Sequence, residues 1–203
     1  MRKGNANLGQ LGFTDHSQAH CVQVAHQAGK ILKRLGYSEH EIELAKIAGY
    51  MHDIGNAINR THHAEYGALL ANDLLKETNM SLEDRVTVIS AIGNHDESTG
   101  SPEDVISAAL IIADKTDVRR SRVRQKEKAA FDIHDRVNYA VTDSKLKIDE
   151  EKSVIALNLQ IDENICSMYD YFEIFLDRMM FCRKSAEILG TTFKLTVNGR
   201  KVL

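Results

Sequence analysis

Histidines and aspartates recur near the ends of predicted helices between residues 20 and 114. The pair His52-Asp53 follows the apolar segment "AGYM" and precedes Gly55. A polar pair at the end of an apolar helix is costly to bury unless another group binds it. Imidazoles and carboxylates are both metal ligands, so the pair is a candidate for metal binding. The other candidates are His20, His63, His95 and Asp114.

Amphipathic helices are the elements that must position these side chains. Apolar residues recur at three- and four-residue spacing in several segments, which predicts helices at 16–35, 38–53, 62–77, 82–93 and 102–114. Ser38 and Glu41 form a capping-box sequence, Ser81 is a predicted N-cap, and Ser101 is predicted to cap a helix that begins at Pro102. A helical bundle can bring the ends of such helices to one cavity.

The number of candidate ligands indicates more than one metal ion. Four imidazoles and two carboxylates exceed the four ligands of an ordinary tetrahedral zinc site. The set suits two divalent ions with open positions and an aspartate that bridges them. Mixed imidazole and carboxylate ligation permits several metals; we expect iron or manganese, with nickel, cobalt or zinc as alternatives.

The order of these residues resembles the HD-domain metal-dependent phosphohydrolase superfamily over roughly residues 12–125. The segments "HCVQVA", "AGYMHDIG", "HHAEYGA", "AIGNHDE" and "LIIADKTD" follow one another as they do in that family. Within it, the layout is most similar to bacterial enzymes that hydrolyse diadenosine tetraphosphate symmetrically. Asp96 stands where those enzymes usually carry threonine, which affects the expected substrate more than the metals.

The resemblance implies a helical bundle and a division of the ligands between two ions. The first ion would be held by His20, His52, Asp53 and Asp114. Asp53 would bridge to the second, which His63 and His95 complete. Two such ions would stabilise a hydroxide that attacks phosphorus in line, in a phosphoester or phosphoanhydride of a nucleotide or another small phosphorylated metabolite.

Further catalytic and phosphate-binding residues are predicted beside the metal ligands. We assign catalytic roles to Asp53, Asp96 and Lys115, although Asp96 could instead support a ligand. Lys115 would also neutralise phosphate charge, together with Arg119 or Arg120, because arginine forks match phosphate oxygens. The alternative for the arginines, which include Arg122 and Arg124, is a solvated charged stretch.

Alternatives exist for several histidines. His63 is favoured over His62 because Gly67 follows it at the family spacing, and His20 is favoured over His16. A second dipeptide, His134-Asp135, has a less apolar lead-in and is interpreted as a solvated helix start.

Two other functions are compatible with the candidate ligands. The set also resembles that of myo-inositol oxygenase and its diiron relatives, and the metals could instead staple a non-catalytic binding protein. A cyclic-dinucleotide phosphodiesterase of the HD-GYP class is not expected, because Asn56 replaces the usual lysine of "HDIGK".

The C-terminal sequence changes to an alternating pattern. "KLKID" (145–149) and "SVIALNLQI" (153–161) predict a hairpin, 165–188 a long helix, and Asn198-Gly199 a tight turn. We therefore expect a mainly α protein with a boundary near residue 140: a helical metal-binding domain (1–140) and a small α+β appendage (141–203). The appendage could pair two copies, so a homodimer is expected.

Composition limits the partners. The chain has 203 residues, a net charge of −3 and three widely spaced cysteines. These features favour a reducing cytoplasm and give no sign of nucleic-acid binding. The expected partner, a small phosphorylated substrate, is what the family resemblance implies. We find no signal peptide or membrane span in the sequence, so no membrane partner is expected.

Overall fold

The computed structural model describes residue 6 and residues 17–123 and 133–203. The predictions for His16, for Arg124 and for the side chain of His134 lie outside the described residues. Among the helices that are described, none is long and apolar enough to cross a membrane.

Helices account for most of the first two thirds of the described chain. They are α1 (Gln18–Arg34), α2 (Glu39–Met51), α3 (His63–Leu75), α4 (Leu82–Gly93), α5 (Val105–Lys115) and α6 (Ile133–Ala140). Short 3-10 turns lie at Ile54–Ala57 and Arg120–Arg122. The predicted mainly α fold with a helical bundle is confirmed.

Helix caps explain where three of these helices begin. The hydroxyl of Ser38 accepts a hydrogen bond from the backbone N–H of Glu41, whose carboxylate accepts one in return, as predicted. The hydroxyl of Ser81 caps α4 by accepting a hydrogen bond from the backbone N–H of Asp84 at 3.0 Å. The cap predicted at Ser101 is wrong. Helix α5 instead begins after Asp104, which accepts from the N–H of Ser107 at 2.7 Å.

Helix α5 lies at the centre of the bundle. Its residues are apolar on all sides, which is typical of a buried helix. It contacts α1, α2 and α4, and also the later helix α7 (Met168–Ile188). Its fully buried side chains include Leu110, Ile111 and Ile112. This central position places Asp114, in the last turn of α5, inside the molecule.

A four-stranded sheet follows the bundle. Its strands are β1 (Val141–Asp149), β2 (Val154–Ile161), β3 (Thr192–Val197) and β4 (Arg200–Lys201), in the order β1-β2-β3-β4. β1 and β2 form the predicted antiparallel hairpin, and β3 pairs parallel to β2 after the α7 crossover. The β3–β4 turn has positive φ at Asn198 (49°) and Gly199 (77°), as the Asn-Gly pair predicts.

Two details of the C-terminal predictions are wrong. Strand β1 begins four residues before the predicted start, because Val141 already pairs with Ile161 across a register shift. Asp135 is buried in the first turn of α6, not solvated. A single core of buried apolar residues runs from α1 through α5 and α7 to the sheet. The division into two domains near residue 140 stays a prediction.

Gly55 lets the chain approach itself closely beside the predicted ligands. A Cβ atom on Gly55 would overlap the carbonyl oxygen of His63 and lie 2.6 Å from the backbone nitrogen of Gly67. The turn after His52-Asp53 therefore packs backbone to backbone against the start of α3. This contact requires glycine at position 55 for space rather than for an unusual φ.

We predict that Gly55→Ala destabilises the fold by about 3 kcal/mol or more, because backbone atoms cannot move aside as a flexible side chain can. The matched control is Gly93→Ala, whose new Cβ would have its nearest neighbour at an ordinary 3.6 Å. Urea unfolding measures both variants. Equal stability of the two would contradict the close packing of Gly55.

Candidate metal centre

The structure brings all six predicted ligands together. His20 lies in the first turn of α1, His52 and Asp53 directly follow α2, and His63 is the first residue of α3. His95 follows α4, and Asp114 lies at the end of α5. The four histidines and Asp53 are buried. His62 instead has 60% of its side chain exposed, at the N-cap of α3.

The first group of donor atoms surrounds Asp114. Its Oδ1 lies 3.2 Å from Nε2 of His20 and 3.6 Å from Nε2 of His52. Oδ2 of Asp53 lies 3.4 Å from the same atom of His52 and 3.8 Å from that of His20. Two ligands of one ion, each bonded at about 2.1 Å, are about 3.0–3.4 Å apart. The spacing of the donor atoms therefore fits a metal site.

A second group lies on the other side of Asp53. Nε2 of His63 is 3.1 Å from Nε2 of His95 and 3.8 Å from Oδ1 of Asp53. Asp53 thus turns one oxygen toward His20 and His52 and the other toward His63. This placement is the one expected of a bridging carboxylate, while the individual ligand roles stay predictions.

Each of the four imidazole rings is held through its other nitrogen. Nδ1 of His52 lies 2.8 Å from the carbonyl oxygen of Gly49, and Nδ1 of His95 lies 2.6 Å from that of Ile92. The remaining two contacts join Nδ1 of His63 to the carbonyl of Arg60 at 3.2 Å, and Nδ1 of His20 to Oδ2 of Asp117 at 2.7 Å.

These contacts fix the tautomer. Carbonyl and carboxylate oxygens accept hydrogen bonds, so in each ring Nδ1 carries the proton and donates it. In its neutral state each ring has its lone pair on Nε2, which faces the cluster; at His52 a metal ion would displace the second proton that Asp53 and Asp114 stabilise. This is the state in which histidine binds metals, and a bond from the second nitrogen is the usual support for such a ligand. Nε2 of His52 has no hydrogen-bond partner among the described residues.

Charge in the cluster also fits a cation. Burial lowers the pKa of His95 to about 3, and the nearby imidazoles add to this effect. Burial acts on His52 in the same direction, but the carboxylates of Asp53 and Asp114 outweigh it and raise its pKa well above the usual value. The carboxylates of Asp53, which is buried, and Asp114, which is 12% exposed and already paired with Lys115, are stabilised by further positive charge. Divalent ions bound by the Nε2 atoms would supply it.

Asn56 holds Asp53 in place. Its side-chain amide donates to Oδ1 of Asp53 at 2.7 Å and to the backbone carbonyl of the same residue at 3.1 Å. The sequence analysis used Asn56 only to set the chain apart from another class of phosphodiesterase. The structure shows a direct contact with the central carboxylate.

Asp117 is a site residue that the sequence analysis missed. Besides the bond from His20, its carboxylate accepts from Arg119, and its backbone carbonyl accepts from Arg122 at 2.8 Å. Burial would raise the pKa of Asp117, but the hydrogen bond from His20 and the arginine charges outweigh it and lower the pKa to about 2. The sequence does give one signal for Asp117: it lies three residues after Asp114, close to the C-terminal end of α5.

The remaining predicted residues make specific contacts of their own. Nζ of Lys115 lies 2.9 Å from Oδ2 of Asp114, and Oδ2 of Asp96 lies 3.3 Å from Nδ1 of His63. Arg119 contacts Asp117, and Arg120 donates to the backbone carbonyl of Tyr139 and stacks on its ring. The catalytic and phosphate-binding roles of these four residues stay predictions.

Comparison with known proteins agrees with this geometry. Residues 18–121 match the family model described as "HD domain". The chain belongs to the HD-domain family. HD-domain proteins are metal-dependent hydrolases, and the matched segment contains all six candidate ligands.

Individual relatives of this HD-domain chain are about 30% identical to it over the aligned segments. An uncharacterized protein of Methanocaldococcus jannaschii is 29% identical over 170 residues, which is 72% of this chain and 65% of the archaeal one. The ribonuclease Y of Aster yellows witches'-broom phytoplasma is 31% identical over 120 residues, and that of Bacillus pumilus 32% identical over 126. The chain spans only about a fifth of these two ribonucleases, 20% and 22% of their lengths.

We predict that Asp117→Asn weakens Mn²⁺ binding by about 10- to 100-fold, because the variant loses the charge that holds His20. The matched control is Asp84→Asn. Asp84 also contacts a histidine, His40, at 2.7 Å, but on the surface and away from the HD-domain cluster. Titration followed by the electron paramagnetic resonance signal of free Mn²⁺ measures both. Undiminished affinity in Asp117→Asn would contradict the supporting role of Asp117.

Proposed function

We propose that this protein is a metal-dependent phosphohydrolase that cleaves a phosphoester or phosphoanhydride of a nucleotide or another small phosphorylated metabolite. The observation that carries the proposal is the convergence of four Nε2 atoms and the carboxylates of Asp53 and Asp114 on one cluster. Membership of a family of metal-dependent hydrolases supports it.

The donor set fits two divalent ions, with His20, His52, Asp53 and Asp114 around one and Asp53, His63 and His95 around the other. Bound there, such ions would acidify a water molecule and offset the negative charge of a phosphoryl group. Iron or manganese is our first choice, with nickel, cobalt and zinc as alternatives.

The chain's own residues define how substrate would enter. The side chains of Asp114 and Asp96 are 12% and 19% exposed, while those of the histidines are almost inaccessible. Solvent therefore reaches the cluster along the side where these carboxylates lie. Their oxygens can accept a proton or a hydroxyl hydrogen bond from substrate at this opening.

Arg60 is a candidate for phosphate recognition at the same site. Its Nη1 lies 3.9 Å from Oδ1 of Asp53 and 3.4 Å from Oδ1 of Asn56, and 26% of the side chain is exposed. A guanidinium in this position can reach a phosphate placed over Asp53 while it keeps its protein contacts. The sequence analysis did not single it out, because it follows the loop signals "NAIN".

Two substrate classes compete. The order of the motifs favours a dinucleoside polyphosphate such as diadenosine tetraphosphate. Asp96 departs from this pattern, because the enzymes that hydrolyse that compound usually carry threonine there. The likeness to ribonuclease Y favours a phosphodiester of RNA as a second candidate. The homodimer, the cytoplasmic location, and the absence of membrane and nucleic-acid partners remain predictions.

We predict that Mn²⁺- or Fe²⁺-loaded protein hydrolyses at least one member of a panel of diadenosine tetraphosphate, mononucleotides, p-nitrophenyl phosphate esters and short RNA. Asp53→Asn should reduce turnover by at least about 1,000-fold, because it removes the charge shared by both groups of ligands. Asp84→Asn should leave it unchanged. Bound metal with no turnover on any substrate would contradict the proposal and favour the diiron oxygenase or the metal-stapled binding protein.

We further predict that Arg60→Met, assayed at saturating Mn²⁺, raises KM about 10-fold for the phosphate substrate found in that panel. A lost ground-state contact acts mainly on KM. Arg60→Lys should retain part of the effect, because it keeps the charge without the fork. The control is Arg34→Met, which removes an exposed arginine paired with Glu150. An unaltered KM in Arg60→Met would contradict phosphate recognition by Arg60.

A further inference from the structure

Four charged side chains form a continuous chain from α7 to the candidate metal centre. Nε of Arg178 lies 2.8 Å from Oε1 of Glu97, and Oε2 of Glu97 lies 2.6 Å from Nζ of Lys115. Nζ of Lys115 in turn lies 2.9 Å from Oδ2 of Asp114. We call this row, Arg178-Glu97-Lys115-Asp114, the ion chain. Its charges alternate in sign along its length.

The ion chain is poorly accessible to water. Lys115 is 7% exposed, and the side chains of Glu97 and Arg178 are 21% and 28% exposed. The guanidinium of Arg178 also stacks on the ring of Phe175, 4.7 Å from its centroid. Burial of charges is costly unless each has a partner with good geometry, and loss of one partner leaves the next uncompensated. An apolar contact would hold α7 against the bundle without the free-energy cost of burying charges. The ion chain therefore does more than attach α7 to the bundle.

That consequence is the orientation of Asp114. Lys115 binds one oxygen of the carboxylate, so the other, Oδ1, faces the Nε2 atoms of His20 and His52. Lys115 keeps its amine at that oxygen because Glu97 holds it from the opposite side. Arg178 fixes Glu97 in turn, so a residue of α7 determines the position of a predicted ligand on α5.

The same contact restrains the second group of ligands. Glu97 lies two residues after His95 in a tight loop, in which the N–H of Gly100 donates to the carbonyl of Asp96 at 2.8 Å. A Cβ atom on Gly100 would overlap the carbonyl of Asn94, so the loop has little freedom. By holding Glu97, Arg178 also holds this loop.

We propose that Arg178 is a positioning residue of the metal centre, which acts through Glu97 and Lys115 on Asp114. The inference rests on metal binding in the proposed function but not on the identity of the substrate. It makes α7, which lies outside the segment matched to the HD domain, a part of the site that sets its affinity for metal.

The test is the affinity for Mn²⁺ of full-length variants, measured by titration at 25 °C under conditions where thermal scans show each to be folded. Arg178→Met should weaken binding by about 10-fold, the lower end of the effect of removing an outer partner of a metal ligand. Arg178→Lys should restore part of the loss, because a lysine can still pair with Glu97. Arg183→Met is the matched control on the same helix, where the ion-pair partner of Arg183 among the described residues is Glu187 at the surface.

Glu97→Gln provides an independent variant if Arg178→Met does not fold. It keeps the shape of the side chain, removes the charge between Arg178 and Lys115, and should weaken Mn²⁺ binding to a similar extent. Wild-type affinity in a folded Arg178→Met or Glu97→Gln variant would overturn the inference, whatever its effect on melting temperature. Metal binding by the wild type without turnover of any phosphate compound would overturn the proposed function but leave this inference intact.

Discussion

The rest of the site depends on the hydrogen bonds at Nδ1 of four buried histidines. Each ring donates to a fixed oxygen, which leaves a lone pair on Nε2 toward the interior. Two carboxylates, Asp53 and Asp114, share that interior. Such a donor-rich cluster is unfavourable to bury without cations. The electrostatics of the cluster therefore favour a bound cation, independently of the family match.

The packing of the bundle meets this requirement by bringing helix ends within a few ångströms of one another. The glycine contact between Gly55 and the start of α3 places His52, Asp53 and His63 side by side. The largely apolar, buried helix α5 carries Asp114 to the cluster. Helix α7 lies outside the HD-domain match, yet its Arg178 reaches this centre through the ion chain. The C-terminal region is thus continuous with the site in structure as well as in its apolar core.

Local signals in the sequence predicted the features that depend on neighbouring residues. The capping box at Ser38 and the turn at Asn198-Gly199 were predicted correctly, because a few adjacent side chains and backbone angles determine them. The cap of α5 was assigned to Ser101 because proline suits a first helical turn, but the reciprocal bonds of Asp104 and Ser107 determine the start.

Contacts between distant segments were harder to predict. The ligand set was anticipated from its order along the chain, and the structure brings those residues together. The supporting residues were not anticipated. Arg178 is recognisable only by its tertiary contacts, and the spacing of Asp117 from Asp114 does not by itself reveal the bond to His20. Arg119 shows the same limit: its fork suits phosphate, and in the fold it contacts Asp117.

The most direct test of the central claim is anomalous X-ray diffraction at the manganese edge from crystals soaked in Mn²⁺. Our account predicts two peaks that share Asp53, one beside His20, His52 and Asp114 and the other beside His63 and His95. Crystals that show manganese only at exposed carboxylates, with the cluster empty, would contradict it.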